Sequence, residues 1–330
     1  MSRIAVTGNQ NAASRSVMTN SPPLVLRPDE AGIARAAVLL ADGELVAFPT
    51  ETVYGLGADA RNGAAVAAIY AAKGRPSFNP LIVHVPSIEA AQRYVAWSDP
   101  ADRLAQAFWP GPLTLVLPLR EGHGLSGLVT AGLSTLAVRV PAKTSAQALL
   151  KAFGGPVAAP SANLSGRISA TTAQHVLDGL GPRIAAVLDD GPCTVGLEST
   201  IIGLGETPAL LRAGGLPAEA IEAALGTGLA QATTPQDESG VSAPGQLLSH
   251  YAPKATLRMN VTAPRPPEVF LGFGKMTCDE NLSESGDLHE AAARLFDLLH
   301  KLDGTGRPIA VAPVPMHGLG RAINDRLTRA

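Results

Sequence analysis

The sequence has few of the features that define disulfide-rich, metal-binding or membrane proteins. Its 330 residues include two cysteines, Cys193 and Cys278, which lie far apart. This argues against a disulfide framework and against a cysteine-based zinc site. The apolar runs, such as 81–85 and 113–117, are much shorter than the ~18 residues that cross a bilayer. Residues 1–23 lack the apolar core of a secretory signal, and we expect a disordered leader there in a cytoplasmic protein without a membrane segment.

An excess of basic charge is also missing. The 26 Lys and Arg residues face 28 Asp and Glu residues, and aromatic residues make up 4% of the chain. Proteins that coat nucleic acid need clustered basic charge, and those that bind single strands also need aromatic surfaces on which bases stack. The composition argues against both. With 46% hydrophobic and 16% charged residues, most of the chain is expected to fold.

Short apolar runs alternate with amphipathic segments, which is typical of an α/β protein. We predict strands at 45–48, 81–85, 113–117, 135–140, 157–159, 185–188 and 200–204. Helices are predicted at 28–42, 63–72, 87–95, 144–153, 172–180 and 217–225.

A change in composition divides the chain. Residues 226–253 are rich in Gly, Thr, Gln, Ser and Pro without a sustained apolar period, as in a linker. After it, apolar runs at 255–259, 269–273 and 309–312 and an amphipathic helix at 287–302 predict a second, small α/β unit. We therefore predict a leader at 1–23, an α/β domain at 24–225, a linker at 226–253 and a small domain at 254–330.

The common catalytic signatures do not occur. Gly274-Lys275 is followed by Met276, so the hydroxyl of a Walker A motif is missing, and there is no GxSxG, HExxH or CxxC sequence. Ser161-Ala162-Asn163 is similar to the Ser-Asp-Asn motif of penicillin-binding enzymes, but no S-x-x-K nucleophile accompanies it. The chemistry has to be sought in other residues.

Polar residues are concentrated at strand ends and in turns, where α/β proteins bind ligands. The segment 49–56 places hydroxyl groups after a buried strand, although a capped turn would give the same pattern. In 73–80, Lys73 and Arg75 flank a glycine and prolines fix the bend. Such a pair suits a di- or triphosphate, while a solvated helix C-terminus is an equally good explanation of this segment alone.

Three further segments carry polar groups within or directly after predicted strands. A lone histidine in an apolar run, here His84, is more often a hydrogen-bonded core residue than a ligand contact. Arg139 lies inside a strand, and because an unpaired buried charge is costly it should meet a carboxylate from the protein or from a ligand. Segment 159–166, followed by Ser169, offers small hydroxyl and amide groups that suit phosphate or ribose oxygens.

Taken together, the ordered blocks resemble the YrdC-like threonylcarbamoyl-AMP synthases. The resembling blocks are 49–56, 73–85, 108–114, 137–141, 159–166, 196–200 and 211–212, and the match spans about residues 27 to 225. Residues 242–246 and 250–253 also resemble the linker motif of the two-domain form of this family. The resemblance implies an α/β domain with a large twisted sheet and a concave ligand cavity, followed by a small Rossmann-like α/β domain.

The resemblance also implies an activity. Members of the family are nucleotidyltransferases that make L-threonylcarbamoyl-AMP from L-threonine, bicarbonate or CO2, and ATP, and release pyrophosphate. Their product serves the threonylcarbamoyladenosine modification of tRNAs that read ANN codons, with a threonylcarbamoyl transferase complex as the expected recipient. Mg²⁺ is expected on the ATP phosphates rather than in a protein cage.

The family's functional positions carry over residue by residue. By motif, the residues implied for L-threonine are Thr52, His84, Arg139, Ala159 through its backbone, and Ser199. Those implied for ATP are Lys73, Arg75, Asn79, Thr135, Ser161, Asn163, Ser169 and Arg212. Lys73 and Arg75 are also the implied catalytic groups, because they would neutralise charge as pyrophosphate leaves. His250 and Tyr251 of the linker are the implied lid over the cavity, with a simple tether as the alternative.

Two other functions compete with this one. A non-catalytic module that binds double-stranded RNA or ribosomes has been linked to isolated domains of this type, but the net charge and the scarcity of aromatics argue against it. A carbamoyl-phosphate-using transferase related to hydrogenase maturation factors would need zinc-finger and acylphosphatase-like segments, which this sequence lacks. A neutral overall charge is compatible with a local basic cavity, so a tRNA contact could accompany catalysis.

Overall fold

The computed structural model describes residues 22–231 and 251–330. The predicted leader therefore lies outside the described residues up to position 21, and so does the part of the predicted linker from 232 to 250, which includes His250. Among the described ranges, no helix has the length and apolar composition needed to cross a bilayer.

An 11-stranded mixed sheet forms the first and larger part of the molecule. Its strands are β1 (Leu24–Leu26), β2 (Val46–Pro49), β3 (Tyr54–Asp59), β4 (Ile82–His84), β5 (Leu113–Pro118), β6 (Thr135–Arg139), β7 (Val157–Ala158), β8 (Ala186–Leu188), β9 (Thr200–Leu204), β10 (Pro208–Arg212) and β11 (Ala230–Gln231). Their order across the sheet is β1-β8-β2-β3-β7-β4-β6-β5-β9-β10-β11. Because β11 pairs with β10, this sheet extends into the segment that the composition assigned to the linker.

Helices cover this sheet and bury its apolar side chains. They are α1 (Glu30–Ala41), α2 (Gly63–Lys73), α3 (Ile88–Ala91), α4 (Asp99–Phe108), α5 (Gly127–Thr130), α6 (Thr144–Phe153), α7 (Ala173–Leu180) and α8 (Ala218–Leu225). The Asn62 side chain caps the start of α2, and Gly74 ends it in the left-handed conformation with φ of 59°. Lys73 is therefore the last residue of α2, and Arg75 follows directly after the glycine that ends the helix.

The predicted strands and most predicted helices of this part are present, but strand β3 was not predicted. Its glycines interrupt the apolar alternation on which strand prediction depends. A Cβ atom at Gly57 would lie 2.9 Å from the Phe48 ring and 3.0 Å from a Val157 methyl group, so close packing explains that glycine. The helix predicted at 87–95 is also shorter, since α3 ends at Ala91 and Val95 instead pairs with Leu119. Helix α4 and strand β10 were not predicted either.

A four-stranded parallel sheet forms the C-terminal domain. Its strands are β12 (Leu257–Arg258), β13 (Val269–Gly272), β14 (Glu280–Asn281) and β15 (Ile309–Val311), in the order β12-β15-β13-β14. Helices α9 (Leu288–Asp303) and α10 (Gly320–Thr328) pack in its core. The prediction of a small α/β domain after the linker is confirmed.

The two domains share one hydrophobic cluster. Val53, Ile168 and Leu197 of the large domain pack in the same core as the apolar residues of α9. At Gly196 the approach is so close that a Cβ atom would lie 2.5 Å from the backbone of α9. The C-terminal domain therefore packs directly on the loops that follow β2 and precede β9, both of which carry predicted site residues.

Candidate functional site

A cavity lies where several strand ends and loops of the large sheet meet. Strands β4 and β6 are parallel neighbours in register, so that their last residues, His84 and Arg139, lie side by side. The turn after β2 and the segment after β7 complete the wall. This is the position at which open α/β sheets bind ligands, because polar groups at the carboxyl ends of adjacent strands converge there.

All five residues implied for L-threonine line this cavity. They are Thr52, His84, Arg139, Ala159 and Ser199. They come from five separate segments of the chain, and the fold brings them together. The Thr52 hydroxyl accepts a hydrogen bond from Arg139 Nη1 at 2.8 Å, and the Ser199 hydroxyl shares one with Thr114 at 2.7 Å.

Arg139 has a carboxylate partner within the protein. Its Nη2 donates to Glu51 Oε1 at 2.5 Å, and its Nε donates to the Gly111 carbonyl oxygen at 3.2 Å. The second oxygen of Glu51 accepts from the backbone N–H of Ala142. A guanidinium carries five N–H donors, so this arrangement orients Arg139 and still leaves donors for a ligand carboxylate.

Two further cations line the cavity. Arg75 and Arg212 are both in the lining and only 8% exposed. Arg75 donates to the carbonyl oxygens of Asn79 and Pro80, and no carboxylate within the described ranges forms an ion pair with it. Burial, with a further contribution from the charge of Arg212, lowers the pKa of Arg75 to about 10. Buried cations that repel each other in this way favour the binding of an anion.

Lys73 lies behind this wall rather than in it. It is 2% exposed, and its Nζ donates to the carbonyl oxygens of Ser161 and Asn163. Burial, and then the charge of Arg75, holds the pKa of Lys73 well below its ordinary value. Lys73 therefore holds segment 161–163 in place through these two hydrogen bonds, and Ser161 of that segment lines the cavity. The charge of Lys73 also adds to the positive potential at the cavity wall.

Of the remaining residues implied for ATP, Asn79, Asn163, Ser169 and Thr135 do not line the cavity. Asn79 is completely buried, yet neither atom of its side-chain amide has a hydrogen-bond partner among the residues described. Such a group is costly unless a ligand satisfies it, which fits a binding role. The Ser169 hydroxyl donates a hydrogen bond to the Glu198 carboxylate. Thr135 begins β6 and lies roughly 13 Å along the strand from Arg139, so it is also outside the cavity lining.

The family motifs imply no site role for Glu51 and Glu198, although both residues lie in the resembling blocks. Glu198 lines the cavity and forms a buried ion pair with Arg326 of the C-terminal domain, with Arg326 Nε 2.8 Å from Oε2. The signal that could have identified both glutamates is a charged side chain within a polar motif next to a strand. No local pattern indicated Arg326. Tyr251, which directly precedes the C-terminal domain, also lines the cavity, and its ring stacks on the ring of Phe296 in α9.

His84 is neutral in this setting. Burial, reinforced by the charge of Arg139, lowers the pKa of His84 to about 3. The imidazole therefore contributes a neutral polar surface to the cavity at physiological pH, beside the fixed positive charge of Arg139.

This pKa predicts acid sensitivity. The unfolded chain binds a proton at His84 below pH 6.5, whereas the folded protein does so only near pH 3, so stability falls as pH is lowered between these values. The expected loss is about 1.4 kcal/mol per pH unit from this one group. In His84→Gln the free energy of unfolding should fall less steeply, as measured by urea titration with the fluorescence of Trp97 and Trp109. The exposed His289→Gln is the control, and equal slopes in both variants would contradict the prediction.

In the part of the chain that the structure describes, no three His, Cys, Asp or Glu side chains lie close enough together to hold a metal ion. Of the described residues in the cavity lining, Glu198 is the only carboxylate, and it is paired with Arg326. The cavity thus offers cationic and hydroxyl groups as hydrogen-bond donors, and such groups suit an anionic ligand.

Two family models match consecutive parts of the chain. Residues 38–214 match the Sua5/YciO/YrdC family, described as "Telomere recombination", and residues 216–330 match the "Threonylcarbamoyl-AMP synthase, C-terminal domain". The threonylcarbamoyl-AMP synthase of Bacillus subtilis is 41% identical over 92% of this chain and 94% of its own length. The enzyme of the same name from Pyrococcus abyssi is 41% identical over 92% and 95%.

A solved structure gives the same result for the fold. The crystal structure of P. abyssi Sua5 complexed with L-threonine superposes with a TM-score of 0.84 at 38% identity, covering 93% of this chain and 96% of that one. Both parts of the predicted fold are therefore confirmed. The chain belongs to the Sua5/YciO/YrdC family, in the form that also carries the C-terminal domain of the threonylcarbamoyl-AMP synthases.

Proposed function

We propose that this protein is a threonylcarbamoyl-AMP synthase, which joins L-threonine, bicarbonate or CO2, and ATP and releases pyrophosphate. The observation that carries the proposal is the convergence of Thr52, His84, Arg139, Ala159 and Ser199 on one cavity that also presents Arg75 and Arg212. The relatives that match nearly the whole chain bear this name, and one of them was crystallised with L-threonine.

The chemistry requires positioning rather than a catalytic base. The threonine amine and CO2 form a carbamate and release a proton to water, and a carbamate oxygen then attacks the α-phosphorus of ATP while the bond to pyrophosphate breaks and its electrons leave with that group. This makes the enzyme a nucleotidyltransferase. Because the carbamate is already an anion, no proton has to be removed in this step, and the task of the protein is to hold two anions together and neutralise charge.

We assign these tasks to different described residues of the cavity. Arg139, held by Glu51, would meet the threonine carboxylate, and the Thr52 and Ser199 hydroxyls would contact polar atoms of the same substrate. Arg75 and Arg212 would meet the phosphates, with Lys73 behind them. Ser161 of the cavity lining, together with Asn79, Asn163 and Ser169, completes the proposed nucleotide contacts.

Mg²⁺ fits this site as a companion of ATP. It usually keeps waters and substrate phosphate oxygens as ligands, and the paired Glu198 offers it no open carboxylate. When bound on the phosphates, the ion would supply further charge neutralisation for the departing pyrophosphate. We expect the reaction in the cytoplasm, with a threonylcarbamoyl transferase complex as recipient of the product and with tRNA as the final acceptor.

The assay for this function is pyrophosphate release from ATP and Mg²⁺, with each co-substrate omitted in turn. We expect release to require both L-threonine and bicarbonate, and mass spectrometry to detect threonylcarbamoyl-AMP. L-serine in place of L-threonine serves as the specificity control.

A different result would favour the competing function. If ATP binds but no pyrophosphate appears with both co-substrates at saturating concentration, the synthase proposal fails. Titration with double-stranded RNA would then test whether the protein is a non-catalytic binding module.

A further inference from the structure

The hydroxyl groups of Thr50 and Thr52 form a chain of hydrogen bonds beside Arg139. Both threonines line the cavity, and each is at most 1% exposed. Thr50 Oγ1 lies 2.8 Å from Thr52 Oγ1 and 2.7 Å from the carbonyl oxygen of Val53. From the other direction, Arg139 Nη1 donates to Thr52 Oγ1 at 2.8 Å. Because these groups are buried, their hydrogen bonds have to come from the protein or from a ligand.

The donors and acceptors in this chain allow one arrangement of its protons. The carbonyl oxygen of Val53 can only accept, so the Thr50 proton lies between Thr50 and Val53. The contact between the two hydroxyl oxygens then has to use the proton of Thr52. The backbone N–H groups of Thr52 and Val53 also donate to Thr50 Oγ1, at 3.2 and 3.3 Å, which agrees with its role as an acceptor. Each group therefore donates to the next, from Arg139 through Thr52 and Thr50 to Val53.

This order of donation makes Thr52 an acceptor towards the cavity. A hydroxyl group has one proton and two lone pairs. In Thr52 the proton is directed at Thr50 and one lone pair receives Arg139, so the second lone pair is what remains for a ligand. An N–H or O–H group of a ligand can bind there, whereas a carboxylate, which only accepts, has no favourable contact with it. A ligand carboxylate is therefore left to the remaining N–H groups of Arg139.

We propose that Thr50 is a positioning residue for the substrate site, because it takes up the Thr52 proton and so fixes Thr52 as the acceptor for an N–H or O–H group of L-threonine. This inference rests on the proposed function, in that the ligand is taken to be L-threonine. The amine and the hydroxyl are the two groups of this substrate that can donate a hydrogen bond. Thr50 thus decides the polarity of a contact that another side chain makes.

Thr50→Val tests this role because it removes the hydroxyl group and keeps the shape of the side chain. Without the Thr50 oxygen, the Thr52 proton has no acceptor in the protein and turns towards the cavity. Bound L-threonine would force this proton back against the valine, where it is buried and unsatisfied, and binding is weakened by that cost. Calorimetry should show at least about fivefold weaker binding of L-threonine and binding of a non-hydrolysable ATP analogue within about twofold of the wild type.

Three further variants separate positioning from a general effect on folding. Thr50→Ser keeps the hydroxyl group and should bind L-threonine within about twofold of the wild type. Thr130→Val makes the same change at another buried threonine, whose hydroxyl donates to the Gly127 carbonyl oxygen outside the cavity lining, and should bind both ligands as the wild type does. In a Thr52→Val background, Thr50→Val should cause no further loss of L-threonine binding, because Thr50 acts through Thr52.

A substrate analogue identifies which donor of L-threonine meets Thr52. L-2-aminobutyrate carries a hydrogen atom in place of the β-hydroxyl group and keeps the amine. If Thr52 accepts from the hydroxyl, Thr50→Val binds this analogue as the wild type does. If Thr52 accepts from the amine, the variant loses the same factor for the analogue as for L-threonine. Both patterns support the proposal when L-threonine itself binds more weakly.

Wild-type or tighter binding of L-threonine by Thr50→Val would overturn the proposal, since a carboxylate placed against Thr52 would accept the released proton. An equal loss for the ATP analogue, or a further loss in the Thr52→Val background, would also overturn it. If Thr50→Val does not fold, Thr50→Cys decides, because a thiol is a weak acceptor: weaker binding of L-threonine supports the proposal and wild-type binding refutes it. A wild-type protein that binds L-threonine but makes no threonylcarbamoyl-AMP would refute the proposed function only, and one that does not bind L-threonine would refute both.

Discussion

Lys73→Met is expected to lower kcat/KM for ATP by about 10²- to 10³-fold, the size of effect seen when one preorganised group that stabilises developing charge is removed. The lysine acts from behind the cavity, where its Nζ holds the carbonyl oxygens of Ser161 and Asn163. Methionine fills the same space but supplies neither the charge nor the two hydrogen bonds. Pyrophosphate release at varied ATP concentration, with L-threonine and bicarbonate saturating, measures the loss.

The fold should tolerate this change. Because its pKa in the folded protein is lowered, a charged Lys73 costs stability at neutral pH, and methionine removes that cost. The two lost hydrogen bonds are worth about 0.5–1.5 kcal/mol each, which offsets the gain. The exposed Lys151→Met of the same domain is the control for charge. Wild-type kcat/KM in Lys73→Met would refute the phosphate assignment, and Arg75→Met should show a loss in the same direction.

Arg139→Met is expected to weaken binding of L-threonine at least about 100-fold and to lower the free energy of unfolding by about 3–5 kcal/mol. The two effects have different causes. Affinity is lost because the forked donor for the threonine carboxylate is gone, whereas stability is lost because Glu51 remains as a buried, unpaired carboxylate. Calorimetry with L-threonine and urea unfolding followed by tryptophan fluorescence give the two quantities.

A second substitution separates these effects. In Glu51→Gln/Arg139→Met both members of the pair are neutral, so most of the lost stability should return while the binding of L-threonine stays weak. Arg61→Met is the matched control, since Arg61 also pairs with a carboxylate, Asp59, but on the exposed surface of the same domain. Normal binding of L-threonine by the double variant would show that Arg139 holds Glu51 and has no role in substrate recognition.

Sequence patterns were informative about local structure and about the position of the site. Apolar periodicity located most strands and helices because it is a local property of the chain. It failed at β3, where Gly57 is needed for close packing against Phe48 and carries no apolar signal. The resemblance to a family gave five residues for L-threonine, and the structure places all five on one cavity. From the strand pattern alone, His84 would have remained a core residue.

Sequence patterns could not identify the partners of the buried charged residues. The sequence required that Arg139 meet a carboxylate, but it left open whether the protein or the ligand supplies it. The structure supplies Glu51, which is 88 positions away along the chain. It likewise pairs Glu198 with Arg326 across 128 positions and between domains. Neither pair follows from any local motif.

The sequence by itself determined the α/β class, the division into two folded parts and the polar residues available at strand ends. Each of these follows from composition or from patterns over a few residues. Tertiary structure decided which of those residues share a cavity, which cations are paired with carboxylates, and that the C-terminal domain contributes a charge to the site. These outcomes depend on strand order and on domain packing, which bring distant segments within hydrogen-bond distance. Charge pairing at such distances is set by the fold and has no signature in the neighbouring residues.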